Sequence, residues 1–164
     1  MPEPIDELIA QEIQAAVNAI TTGAGFRQDL TCLRPTRQEM VDVDAGDVVP
    51  VNGTVLLIQG DDDRDDALSS AGSPPRTAWR QQFVLIAFVS DSDTPTAPLD
   101  TLLNRVKADI RRKLMEDPQR GGLALDTLLA GAVSFSPSPQ ETGVTVGFEV
   151  VYRTPENNPY VNAG

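Results

Sequence analysis

From residue 143 to 152 the chain alternates: Val144, Val146, Phe148, Val150 and Tyr152 hold one parity, while Thr145, Gly147 and Glu149 hold the other, with Arg153 extending the polar set. Side chains of an extended chain point to opposite faces in turn, so this pattern specifies a strand with an apolar face on a core and a polar face outside. Pro155 and Pro159 follow. Proline cannot donate to a ladder, so the strand is expected to close its sheet and to give way to a C-terminal arm, 154–164, that can touch a neighbour. A chain with such a strand is committed to a sheet, and what remains is to find what covers its apolar face.

Two segments have the spacing to do so. Ile5, Ile9, Ile13, Ala16, Val17 and Ile20 recur at helical intervals with acids in the first turn, and Gly23 and Gly25 follow as stop signals. Leu99, Leu102, Leu103, Val106, Ile110 and Leu114 form a second stripe, introduced by Pro95 and Pro98 and ended by Pro118 or the Gly121-Gly122 pair. Strands are predicted at 27–34, 54–58 and 79–89, the last apolar on both faces and therefore central. Residues 36–50 read as a loop or short strand. Residues 60–78, rich in Asp, Ser, Gly and Pro, are expected to form a long acidic hairpin loop between antiparallel strands. Residues 123–129 suggest a short helical turn, and 132–136 a strand that turns through 137–143 into the closing one. The order predicts one α+β domain spanning 1–164, with two helices packed on a largely antiparallel mixed β-sheet.

Composition narrows the function. At 164 residues, 40% of them hydrophobic and 23% charged, the chain is globular in character and long enough to bury roughly 68–70% of its unfolded surface. No apolar run reaches the ~20 residues of a membrane helix, and the first residues lack the pattern of a signal peptide, so no membrane association and a cytoplasmic site of assembly are expected. Cys32 is the only cysteine and there is no histidine. Ser-His-Asp and Cys-His catalysis and the common imidazole metal sites are thereby removed, and Cys32 reads as a small strand residue. A formal charge of −11 repels nucleic-acid phosphates. We expect no enzyme, no cofactor and no specific DNA binding.

The candidate contact residues are charged or aromatic. Asp61, Asp63 and Asp65 alternate as calcium ligands would, but an EF-hand places glycine sixth and glutamate twelfth, where this chain has Asp66 and Gly72. Asp61, Asp62, Asp63, Asp65 and Asp66 are therefore read as a solvated loop or an acidic arm for a partner. On the second helix Arg105, Lys107, Arg111, Arg112 and Lys113 concentrate positive charge, either as a solvated face or as a receptor for the acidic arm of an adjacent subunit. Trp79 is expected to anchor the core, and Tyr160, beyond the last strand, to dock on its own helix or on another subunit. Arg153 shares the polar face of the final strand with Glu149, at an offset too long for a strong pair.

The element order, the acidic hairpin and a final strand running into Val151-Tyr152-Arg153-Thr154-Pro155 and Asn158-Pro159-Tyr160 resemble the tail terminator, or tail completion, proteins of tailed bacteriophages. The resemblance implies a structural virion protein of the tail and neck, assembled in the host cytoplasm. Its partners would be copies of itself in a ring, commonly hexameric in that family, the tail tube protein, the sheath where the tail contracts, and the neck or head-completion protein. Such a ring caps the tube, stops its polymerisation and joins it to the head, with DNA only passing through the lumen. Alternatives are another head-tail connector protein, or a monomeric acidic binding or inhibitor module.

Overall fold

The computed structural model describes residues 2–36, 39–40, 51–90, 97–138 and 141–163. Helix α1, Ile5–Asn18, turns Ile5, Ile9, Ala10, Ile13 and Val17 into the interior and carries Asp6 and Glu7 in its first turn, at the positive end of its dipole. The chain leaves it through a single 3-10 turn, Thr22–Ala24, closed by Gly25 in the left-handed region. Strand β1 is only Thr31–Leu33, shorter than the predicted 27–34. The preceding residues spend their backbone groups elsewhere: Arg27 N–H donates to Asp109 on the second helix, and Leu30 N–H to the Ile20 carbonyl.

Strands β2, Thr54–Ser70, and β3, Arg76–Ser90, precede helix α2, Leu99–Glu116; β4, Asp126–Ser138, and β5, Glu141–Pro155, follow it. The sheet order is β1-β2-β3-β5-β4, parallel at β1–β2 and antiparallel elsewhere. Two helices pack on a largely antiparallel mixed sheet, as the sequence predicts. Of the segment 36–50, residues 37, 38 and 41–50 lie outside the described residues, as does Pro95.

Both helices lie on one face of the sheet. Val55 and Leu57 of β2, Phe83 to Val89 in alternation on β3, and Val144, Val146, Phe148, Val150 and Tyr152 of β5 pack with Ile9, Ile13 and Val17 of α1 and Leu103, Val106, Ile110 and Leu114 of α2. The alternating row in β5 is thus the centre of the core, with Phe148 stacked on Phe83 at 5.6 Å between ring centroids. Each fully buried side chain of this kind contributes about 1.5–3 kcal/mol. Asn18 and Gln14 of α1 reach out to the Cys32 N–H and carbonyl, so the helix also satisfies the short edge strand. Gly53 sits at φ +83°, with the Asp29 carbonyl oxygen 2.8 Å from where a Cβ would be, so only glycine brings these two segments together.

Three expectations are corrected. Residues 60–70 and 76–78 are not a loop: they continue β2 and β3, leaving 71–75 as the connection. Aspartate is a poor strand former, but cross-strand pairing outweighs it here. Register breaks at Gly60–Asp61 and after Asp65 are held by side chains, Gln81 donating to the Gly60 and Asp61 carbonyls, and Ser69 bonding the Asp65 carbonyl and accepting from Ala78 N–H. Residues 123–129 form no helical turn; a 3-10 turn, Arg120–Gly122, comes before them and β4 begins at Asp126. Arg120 explains the shift. Fully buried, its guanidinium donates to the Leu114 carbonyl at the end of α2 and to Thr127 Oγ1 on β4, tying helix terminus to strand start. Finally, the C-terminal arm folds back on its own chain. Thr154 and Pro155 belong to β5, the Pro159 carbonyl accepts from Ile5 N–H, Asn162 bonds the Gly122 carbonyl and Ala163 N–H returns to Arg153.

Candidate functional site

The helices cover only part of the sheet. Beyond Gln59 on β2, Gln81 on β3 and Val150 on β5, the three strands run on together to Ser70, Arg76 and Pro155 as a distal sheet. Its β2 margin carries the predicted acidic cluster. Asp61, Asp62, Asp63 and Asp66 are exposed, whereas Asp65 is buried. Asp65 does structural work: one carboxylate oxygen accepts from the N–H groups of Ala67 and Leu68, the other from Arg80 Nε at 2.7 Å. The Arg80 guanidinium, followed by the two backbone donors, holds the Asp65 carboxyl below its usual range against the opposing effect of desolvation. Arg80 also reaches Glu149 at 3.5 Å, so Glu149 pairs across to β3 rather than with Arg153. Arg64 pairs with Asp66 at 2.7 Å, both well exposed. Among the described residues no ion pair engages Asp61, Asp62 or Asp63, and no three acidic or cysteine side chains converge as a metal site would need.

Arg153 is half-buried, not simply displayed on the polar face. Its Nε donates to the Leu68 carbonyl at 2.9 Å, reaching past β3 to fasten β5 to the outer part of β2. Trp79 lies half-buried at the distal end of the inner row, its indole N–H bonded to Thr154 Oγ1 at 3.2 Å. Tyr160 is 45% exposed on the folded-back arm.

The basic residues of α2 divide into two sets. Arg112 stacks over the Phe26 ring at 4.7 Å and lies 3.6 Å from Glu116, and Lys113 pairs with Glu116 at 2.7 Å. Lys113, with Arg112 in support, lowers the Glu116 pKa. These two cations are occupied within the chain. Arg105 and Arg111 are half-buried and enter no ion pair among the described residues, and Arg111 Nε is buried without a hydrogen-bond partner. The structure does not bring this face and the acidic cluster together within one chain: no ion pair links them among the described residues.

A further surface gave no signal in the charge pattern. β4 is the outermost strand among the described residues, and alternate backbone groups on its outer side have no strand partner there. From Thr127 to Ser138 it contains no charged residue, and Leu128, Leu129 and Val133 are exposed, Val133 by 69%. Edge strands are ordinarily guarded by lysine, proline or bulges; here the guards are register breaks between Leu129 and Ala132 and between Phe135 and Ser138, with Pro137 near the strand end. The absence of charge across 127–136 was the available clue. Phe135 covers Gly143 on β5 and meets Phe88 edge-on, so this ring is committed to the chain itself.

Burial pushes the Cys32 thiol up to about 12, which leaves it protonated and unreactive at neutral pH. No helix among the described residues is long and apolar enough to cross a membrane. No family model matches the chain, and no curated protein matches it.

Proposed function

We propose that this protein is a structural assembly subunit, a ring-forming virion protein of the tail-terminator or tail-completion kind, which caps a tail tube and joins it to the neck. The observation that carries the reading is the division of one sheet into a helix-covered half and a distal half whose β2 margin is acidic, with an uncharged open edge at β4 on the other side. The two margins differ in chemistry, so a contact between them is heterologous and, repeated around an axis, closes a ring. Self-pairing of the β2 margin is opposed by its like charges. The unpaired Asp61, Asp62 and Asp63 face outward for the basic side of α2 on the next copy, and the net −11 charge keeps DNA passing through such a ring from sticking to it.

Electron microscopy of phage particles made without this protein tests the function. Overlong tails indicate a terminator and headless tails of normal length a joining protein; normal, infectious particles contradict the proposal. A strict monomer that holds a basic partner tightly would instead favour the acidic binding module.

A further inference from the structure

Where the inner face of the sheet runs past the start of α1, it leaves an open cleft of about 450 Å³, a size typical of sites that take small ligands, about 300–1,000 Å³. Trp79 and Tyr152, directly paired across β3 and β5, line it, with Asp6 from α1, Asp62 and Arg64 from β2 and Glu156 from the arm. Acidic groups alone would mean little. The independent observation is Tyr152: the side chain is only 6% exposed, it lines this cleft, and among the described residues its hydroxyl has no hydrogen-bond partner. The ring is buried, and its hydroxyl opens on a space walled by an indole and three carboxylates against one guanidinium, where a donor can reach it. No cation occupies the Trp79 ring: the aromatic contacts of cations among the described residues are those of Arg112 and Lys113 with Phe26.

Building on the assembly reading, we propose that this cleft receives the Arg105 side chain of a second copy of the chain. A guanidinium suits all three surfaces at once: it stacks on an indole, donates to carboxylates in a fork and donates to a phenol oxygen. The copy is identified by charge. Cations in this chain concentrate on α2, where Arg112 and Lys113 are engaged internally and Arg105 enters no ion pair among the described residues. Cleft and helix are different surfaces, so the contact is heterologous, as a ring requires.

Trp79 is the only tryptophan, so its fluorescence reports the cleft directly. Sedimentation velocity and Trp79 emission are followed together over a concentration series of the full chain. The proposal predicts that emission shifts in step with association. It also predicts that Tyr152→Phe and Asp62→Asn, which keep size and fold, each raise the midpoint concentration about tenfold, as loss of a hydrogen bond to a charged group does. Arg105→Glu should abolish association, and Asp62→Lys combined with Arg105→Glu should restore part of it. Association that proceeds with Trp79 emission and all three single variants unchanged overturns the cleft while leaving ring assembly intact. A tri-arginine peptide that shifts Trp79 emission, with Arg105→Glu leaving association unaffected, overturns the second copy as occupant. A strict monomer at every concentration contradicts the assembly reading and this contact with it.

Discussion

Strand β3 passes through two different environments. From Phe83 to Val89 its inner side chains are buried under two helices, while from Arg76 to Gln81 it carries Arg80, Gln81 and a half-buried Trp79 that packs at the margin of the same core. The first half is held by apolar area, which does not titrate. The second is held by ladder hydrogen bonds, by Gln81, Ser69 and Arg153 bridging its irregularities, and by the Asp65, Arg80 and Glu149 group. One half specifies the fold; the other, together with the β4 edge, is where the proposed assembly would place its contacts.

The largest effect is expected in the covered half. Phe148→Ala leaves a cavity against Phe83 and should cost about 3–5 kcal/mol in urea unfolding, enough to unfold much of the protein. A smaller loss, about 1–3 kcal/mol, is expected for Gly53→Ala, which forces a side chain into a left-handed conformation and onto the Asp29 carbonyl. A loss below 0.5 kcal/mol would mean that the loop relaxes freely and that the covered half is less tightly specified than proposed.

Acid separates the halves. The Asp65 carboxyl has a lowered pKa in the folded protein, so its contribution is complete above the ordinary carboxylate range and is lost as pH falls through the folded value. Amide hydrogen exchange at low pH should therefore open Ala67, Leu68 and Ala78 before the core strands, and Asp65→Asn should produce the same opening at neutral pH. Equal protection of both halves down to the acid transition would erase the distinction. The smallest effect on stability is expected at the edge. Val133→Lys should change the unfolding free energy by no more than about 0.5 kcal/mol, yet reduce any pairing through β4, which the sedimentation coefficient reads.

Legibility in the sequence follows the same division. The α1 stripe, the α2 stripe and the β5 alternation fixed both helices, the closing strand and the fold class, because burial imposes a period that a sequence displays. The distal sheet was hidden. Its residues, Asp61 to Asp66 above all, have the composition of a loop, and what makes them a strand is pairing with β3, information held in Gln81, Ser69 and Arg153 far along the chain. Arg120 was hidden for a related reason: an arginine reads as surface until the Leu114 carbonyl and Thr127 are seen around it. The C-terminal arm looked free because prolines break ladders, yet single backbone bonds to Ile5 and Arg153 return it to the chain. Of the candidate contacts, Asp61, Asp62, Asp63, Arg105 and Tyr160 enter no ion pair among the described residues, whereas Asp65, Asp66, Arg112 and Arg153 are occupied within the chain.

The account depends on self-association through the uncovered part of the sheet. Sedimentation equilibrium of the purified full chain, across concentration and at low and high salt, measures it directly. We predict a closed oligomer several subunits in size that dissociates on dilution and as salt screens the contact between acidic margin and basic helix. A single species of 17.6 kDa at every concentration and salt would contradict it.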